Sequence, residues 1–175
     1  NMPGAAPTNQ QKLELARRLE AIGVTEIVGG HAGLDEQCEF MRMVKDAGLK
    51  LLVHSYVDFG DWKRGIEKSV AAKADAIWMP GALNQSPVFA GKLGSSHALW
   101  GPDFDLSATL ETVKAAIQTG KDKGMLVSVG RAPFDLEILP RVLETYVEAG
   151  ADRIAFTDGP GYYTPQTTAH LVKII

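Results

Sequence analysis

The chain has 175 residues, with 18 Lys and Arg against 21 Asp and Glu, a formal net charge of -3, a single cysteine and 45% hydrophobic residues. That size and apolar content suit one globular core, and with lysines scattered over helical faces instead of clustered, nucleic acid is not an expected partner. The lone Cys38 rules out an intrachain disulfide and fits a reducing, cytoplasmic setting; with no leader-like opening and no apolar run of membrane length, a soluble protein with no membrane partner is expected.

In chain order, a turn-rich opening through Pro7 gives way to a helix over 9–21, started by Thr8 and Gln11 as a capping box. A strand over 25–30 follows, then a helix over 34–47 whose apolar face holds Cys38, Phe40, Met41 and Val44. Next come a strand over 50–56, a helix over 61–73 and a strand over 75–79. A long connection over 80–106 leads to a helix over 107–123, a strand over 125–129, a helix from about 136 to 149 and a strand over 153–157. Thr164 as N-cap and Pro165 as first helical residue open a last helix over 165–175.

One unit is thus read five times: an amphipathic helix, a small turn residue (Gly23, Gly48, Ala74, Gly124, Gly150) and a short apolar run. Alternating helices and strands of this kind give a parallel α/β fold. Strand starts at Thr25, Lys50, Asp75, Met125 and Arg153 keep a rhythm of about 25 residues, broken once by the long connection, which suits βα units of a barrel. A complete (β/α)8 TIM barrel takes roughly 250 residues. The expectation is therefore a fragment of such a barrel, with residues 1–175 forming a partial catalytic domain that lacks its first and last strands. An open doubly wound sheet is the alternative, but Gly29-Gly30-His31-Ala32-Gly33 lacks the dinucleotide-binding spacing. Two apolar sheet edges left unpaired invite association, so a homo-oligomer is expected.

Parallel strands present their carboxyl ends, and the loops after them, on one rim, so chemistry is sought there. His31 and His54, at the ends of the strands over 25–30 and 50–56, are candidate proton carriers; hydrogen-bonded structural histidines are the plain alternative. Asp158 is a candidate for acid–base work or for tying the Gly159-Pro160-Gly161 turn. Arg131, beside Gly130, suits a bidentate clamp on a substrate carboxylate, or is a solvated loop arginine. Thr157 and Asn84 are further substrate-binding candidates, the latter with Gln85 and His97 in the glycine-containing connection, which is either a lid or a surface loop.

Residues 146–172 resemble the stretch around the sixth strand of 2-isopropylmalate and homocitrate synthases: Asp158, Gly161, Tyr162, Thr164 and Pro165 match an Asp-Thr-x-Gly-Tyr-x-Thr-Pro pattern. Met2-Pro3-Gly4, with Gln11-Lys12-Leu13-Glu14-Leu15-Ala16 after it, resembles the loop and first helix that follow that family's Arg-Asp-Gly motif, and Lys92-Leu93-Gly94 is similar to its long connection. The resemblance, to the wider hydroxymethylglutaryl-CoA-lyase-like barrels, implies carbon–carbon bond making or breaking on a small-molecule 2-oxo acid, with acyl-CoA as co-substrate, through an enolate held near a divalent metal cation. It also implies that the metal ligands, which follow the first and seventh strands, lie outside this segment, so that the segment alone is inactive. Val28 and Val129 stand where the family's strands carry carboxylates, and of a Thr-Arg-x-Asp turn only Asp135 remains, with Arg131 displaced. A divergent synthase, lyase or aldolase is one reading; a non-catalytic or ligand-binding relative with a degenerate site is the other.

Overall fold

The computed structural model describes residues 7–80, 105–130, 139–156 and 163–174. Among them, six α-helices and five strands alternate: α1 (Asn9–Ala21), β1 (Glu26–His31), α2 (Asp35–Asp46), β2 (Leu52–Tyr56), α3 (Trp62–Ala71), β3 (Ala76–Pro80), α4 (Leu106–Asp122), β4 (Leu126–Gly130), α5 (Leu139–Glu148), β5 (Arg153–Ala155) and α6 (Pro165–Ile174). A single 3₁₀ turn, Phe59–Asp61, leads into α3.

The local signals act as the sequence implies. The Thr8 hydroxyl accepts the Gln11 N–H while the Gln11 side chain accepts the Thr8 N–H, a complete capping box. Asp105 caps α4 by accepting the N–H groups of Ser107 and Ala108 at 2.8 and 3.1 Å, and Thr164 accepts from Thr167 N–H at 3.1 Å to start α6. Beyond four helix ends the backbone turns through Gly23, Gly48, Gly124 and Gly150 at positive φ. After α3 the same left-handed turn is made by Lys73 (φ 59°), a side chain that pays a steric penalty there.

All strand pairs are parallel, and the spatial order is β1-β2-β3-β4-β5. A doubly wound sheet reverses its order at a switch point. This sheet never reverses, which is barrel topology and settles the choice between the two folds. Two devices repeated along the chain fix the register between neighbouring strands. Asp75 binds Lys45 Nζ at 2.8 Å and accepts the Val53 N–H at 2.8 Å. Asp152 does the same two repeats later, taking Lys121 Nζ and, at 2.7 Å, the Val127 N–H.

Ile27, Val53, Ile77, Val127 and Ile154, each the second residue of its strand, pack with Met41, Val44, Ile66, Ile117 and Tyr146 into two clusters under the helices. Close approach there is made by missing side chains: a Cβ on Gly65 of α3 would lie 2.7 Å from Val57 Cγ1, and one on Gly120 of α4 would lie 2.8 Å from both Ile77 and Val127. Because successive strand residues face opposite ways, Glu26, Val28, His54, Trp78, Ser128 and Arg153 all fall on the other, inner face. None of the helices among the described residues is long and apolar enough to cross a membrane.

Candidate functional site

The inner face of the sheet is concave, and an ion pair shows how strongly. The outermost strands would be about 19 Å apart in a flat five-stranded sheet, yet the Arg153 guanidinium on β5 grips the Glu26 carboxylate on β1 with two nitrogens, Nη2 to Oε1 at 2.7 Å and Nη1 to Oε2. Their side chains are only partly screened from solvent. His54, in the middle of β2 and 9% exposed, places Nε2 3.0 Å from the same carboxylate. The hydrogen bonds from Arg153 first, and then from His54, hold the Glu26 carboxyl down to about 2. Glu26 raises the Arg153 guanidinium in return. An ionised Glu26 can only accept, so it fixes the His54 proton on Nε2 and makes Nδ1 the acceptor nitrogen of the neutral ring. A carboxylate orienting an imidazole in this way makes a competent proton acceptor.

An aromatic row crosses the same face. His31, Tyr56 and Trp78 are successive register partners across β1, β2 and β3, with ring centroids 5.1 Å apart for His31 and Tyr56 and 5.9 Å for Tyr56 and Trp78. Ser128 of β4 continues the row. The face opens into a cleft of about 280 Å³ lined by Glu26, Val28, His54, Trp78, Ser128 and Arg153. A second cleft, of about 210 Å³, lies at the rim, where His31 and Asp58 meet Arg64 and Lys68. There His31 Nδ1 accepts the Gly33 N–H at 2.9 Å, and Nε2 stands 3.6 Å from Asp58.

The two histidines expected to converge thus line different clefts. His31 ends its strand and stands at the rim. His54 does not, because β2 continues two residues beyond it to Tyr56, and its side chain faces inward at mid-strand. Asn84, Arg131, Thr157 and Asp158 lie outside the described residues. Val28, 56% exposed on the inner face, is where a site carboxylate could stand, but Val129 is not: its side chain is buried in the helix-covered core, and Gly130 is the inward neighbour. Glu26, Trp78, Ser128 and Arg153 were not singled out from sequence. Their signal is parity, since each is separated by an odd number of positions from the Val or Ile that anchors its strand in the core.

The described part of this face is a poor fit to a divalent cation: the one carboxylate among its described residues is already neutralised by a guanidinium that would repel a cation, and among the described residues no group of three His, Cys, Asp or Glu side chains could hold a metal ion.

The strand order and helix placement define a barrel-type parallel α/β protein with a polar cluster on its concave side. A search for structural likeness agrees: a xylose isomerase-like TIM barrel protein of Mycobacterium smegmatis, solved with magnesium, matches with a TM-score of 0.51 and 15% identity over 97% of this chain and 64% of that one. No family model matches the chain. Among curated proteins, it is 28% identical over 175 residues to a Methanopyrus kandleri protein named for (R)-citramalate synthase activity, covering 98% of this chain and 32% of that protein. Identity is also 28% to an Ignicoccus hospitalis protein named for 2-isopropylmalate synthase activity, over 99% and 41% of the two chains, and 26% to homocitrate synthase AksA of Methanocaldococcus jannaschii, again over 99% and 41%. Over nearly its whole length the chain is thus similar to curated citramalate, isopropylmalate and homocitrate synthases, and it spans 32–41% of their length.

Proposed function

We propose that residues 1–175 are part of the catalytic barrel of an enzyme that joins the acyl group of an acyl-CoA to a small 2-oxo acid. The observation that carries this reading is likeness over nearly the whole chain to three synthases of that kind. In the reaction, the carbon next to the thioester loses a proton to a base, and the resulting enolate attacks the carbonyl carbon of the 2-oxo acid. The new alkoxide takes up a proton, and water cleaves the thioester to release free CoA. The reading gives the proton transfers to His31, His54 and Asp158, and substrate contacts to Arg131, Thr157 and Asn84. What supports His54 is its pairing with Glu26, which sets the tautomer a base needs. A divalent cation would polarise the 2-oxo acid when bound; since the described part of the inner face does not suit one, the proposal leaves its ligands to residues beyond this segment. Lyase or aldolase chemistry on the same enolate, in a cytoplasmic homo-oligomer, belongs to the same reading. The test is release of free CoA from acetyl-CoA on addition of pyruvate, 2-oxoisovalerate or 2-oxoglutarate, by the complete polypeptide that carries these residues.

The exposed Val28, at the inner-face position where a carboxylate could stand, favours a second reading: a ligand-binding relative without turnover. It predicts saturable binding of a 2-oxo acid by calorimetry with no CoA released.

A further inference from the structure

Two polar atoms of the inner face take no part in the Glu26 cluster. Trp78 Nε1 and Ser128 Oγ are both buried, and neither has a hydrogen-bond partner among the described residues. Buried donors are almost always satisfied, so each unmade bond asks for an explanation. The two residues are register partners on adjacent strands, and both line the concave cleft. Ser128 is only 7% exposed. An indole nitrogen can only donate, and a serine hydroxyl turns to suit an acceptor.

The indole is held in place on two sides. Tyr56 meets it edge-on, and Gly130 leaves the space it occupies, since a Cβ there would lie 2.5 Å from Trp78 Nε1. Arg153 stands one register step beyond Ser128, its charge shared with Glu26. A fixed donor beside an adjustable one, near a guanidinium and screened from bulk water, is suited to a single anionic oxygen.

We propose that Trp78 and Ser128 form a donor pair that receives one carboxylate oxygen of a small acid bound in the concave cleft. The choice of a 2-oxo acid as probe rests on the function proposed above; the donor pair does not. An ordered water held by the same two donors is the competing occupant.

The test is titration of the complete polypeptide that carries residues 1–175 with pyruvate, followed by nitrogen–proton NMR. Of the indole signals from Trp62, Trp78 and Trp100, that of Trp78 is the one lost in Trp78→Phe. The expected result is a saturable shift of the Trp78 indole signal with the other two unmoved, and about tenfold weaker binding, ~1.4 kcal/mol, in both Trp78→Phe and Ser128→Ala. The amide spectrum reports whether each variant keeps its fold, and either variant alone decides the point. Pyruvate bound with the Trp78 signal still, affinity unchanged in a folded variant, or no binding at millimolar pyruvate would each overturn the pair and leave water as its occupant. A shifted Trp78 signal in a complete polypeptide that releases no CoA would uphold the pair and count against the reaction.

Discussion

Replacing Arg153 by methionine removes the guanidinium but keeps much of the apolar stem, and it isolates the contact that joins the first and last strands of the sheet. In the parent, Glu26 is held at about 2 against an ordinary value of 4.5, chiefly by Arg153 and next by His54. In the variant only the His54 bond remains, so the Glu26 carboxyl should titrate well above 2 and short of, or at, 4.5. Carbon-detected NMR of the side-chain carboxyl reads this directly. A carboxylate depressed in the folded state stabilises it above the unfolded value, and that contribution fades as pH falls through the folded value. Parent and variant should therefore differ in thermal midpoint above pH 4.5 and converge toward pH 2. Asp35, lowered by Lys68, and Asp152, where Lys121 and the Val127 N–H outweigh the upward push of burial, fade in the same direction in both proteins. A parent Glu26 that titrates near 4.5 would refute the closing ion pair and, with it, the curvature of the inner face.

Other substitutions test the packing beneath that face. Lys73→Gly should raise unfolding free energy by about 1 kcal/mol, since it relieves a left-handed residue at the cost of an exposed pair with Asp46; chemical denaturation that shows a loss would contradict the turn. Gly65→Ala should destabilise by about 1–2 kcal/mol through the stiff, fully buried Val57, despite alanine's better helix propensity. Tyr146→Phe should be neutral or stabilising by up to about 1 kcal/mol, because it deletes a buried hydroxyl with no partner among the described residues, whose phenol burial already pushes up.

The element order was legible because C-terminal glycines punctuate four of the five repeats, and Thr8, Thr164 and Gly150 act as local chemistry dictates. Barrel topology was legible in the spacing of strand starts, and the unreversed strand order agrees with it. Which way a strand faces was harder to read. Around His54 both neighbours, Val53 and Ser55, are buried, Val53 among the helix-side apolar residues and Ser55 in a 2.7 Å hydrogen bond with Ser69. Hydropathy therefore gives no alternation there, and the inward turn of His54 is visible only once β2 is paired. Val129 was misassigned for the related reason that a shift of one residue exchanges the two faces. Glu26 and Arg153 escaped notice because they open their strands, 127 positions apart, and only closure of the sheet brings them together.

The central claim is the joining of an acyl-CoA to a 2-oxo acid, and the most direct measurement is thiol release by the complete polypeptide carrying residues 1–175. With acetyl-CoA and a panel of 2-oxo acids, a thiol-trapping dye should show CoA released only when both substrates are present, with a new carbon–carbon product by mass spectrometry, and His54→Ala should lower the rate far more than it lowers the thermal midpoint. No 2-oxo-acid-dependent release from a folded protein across that panel would contradict the claim and leave the ligand-binding reading in its place.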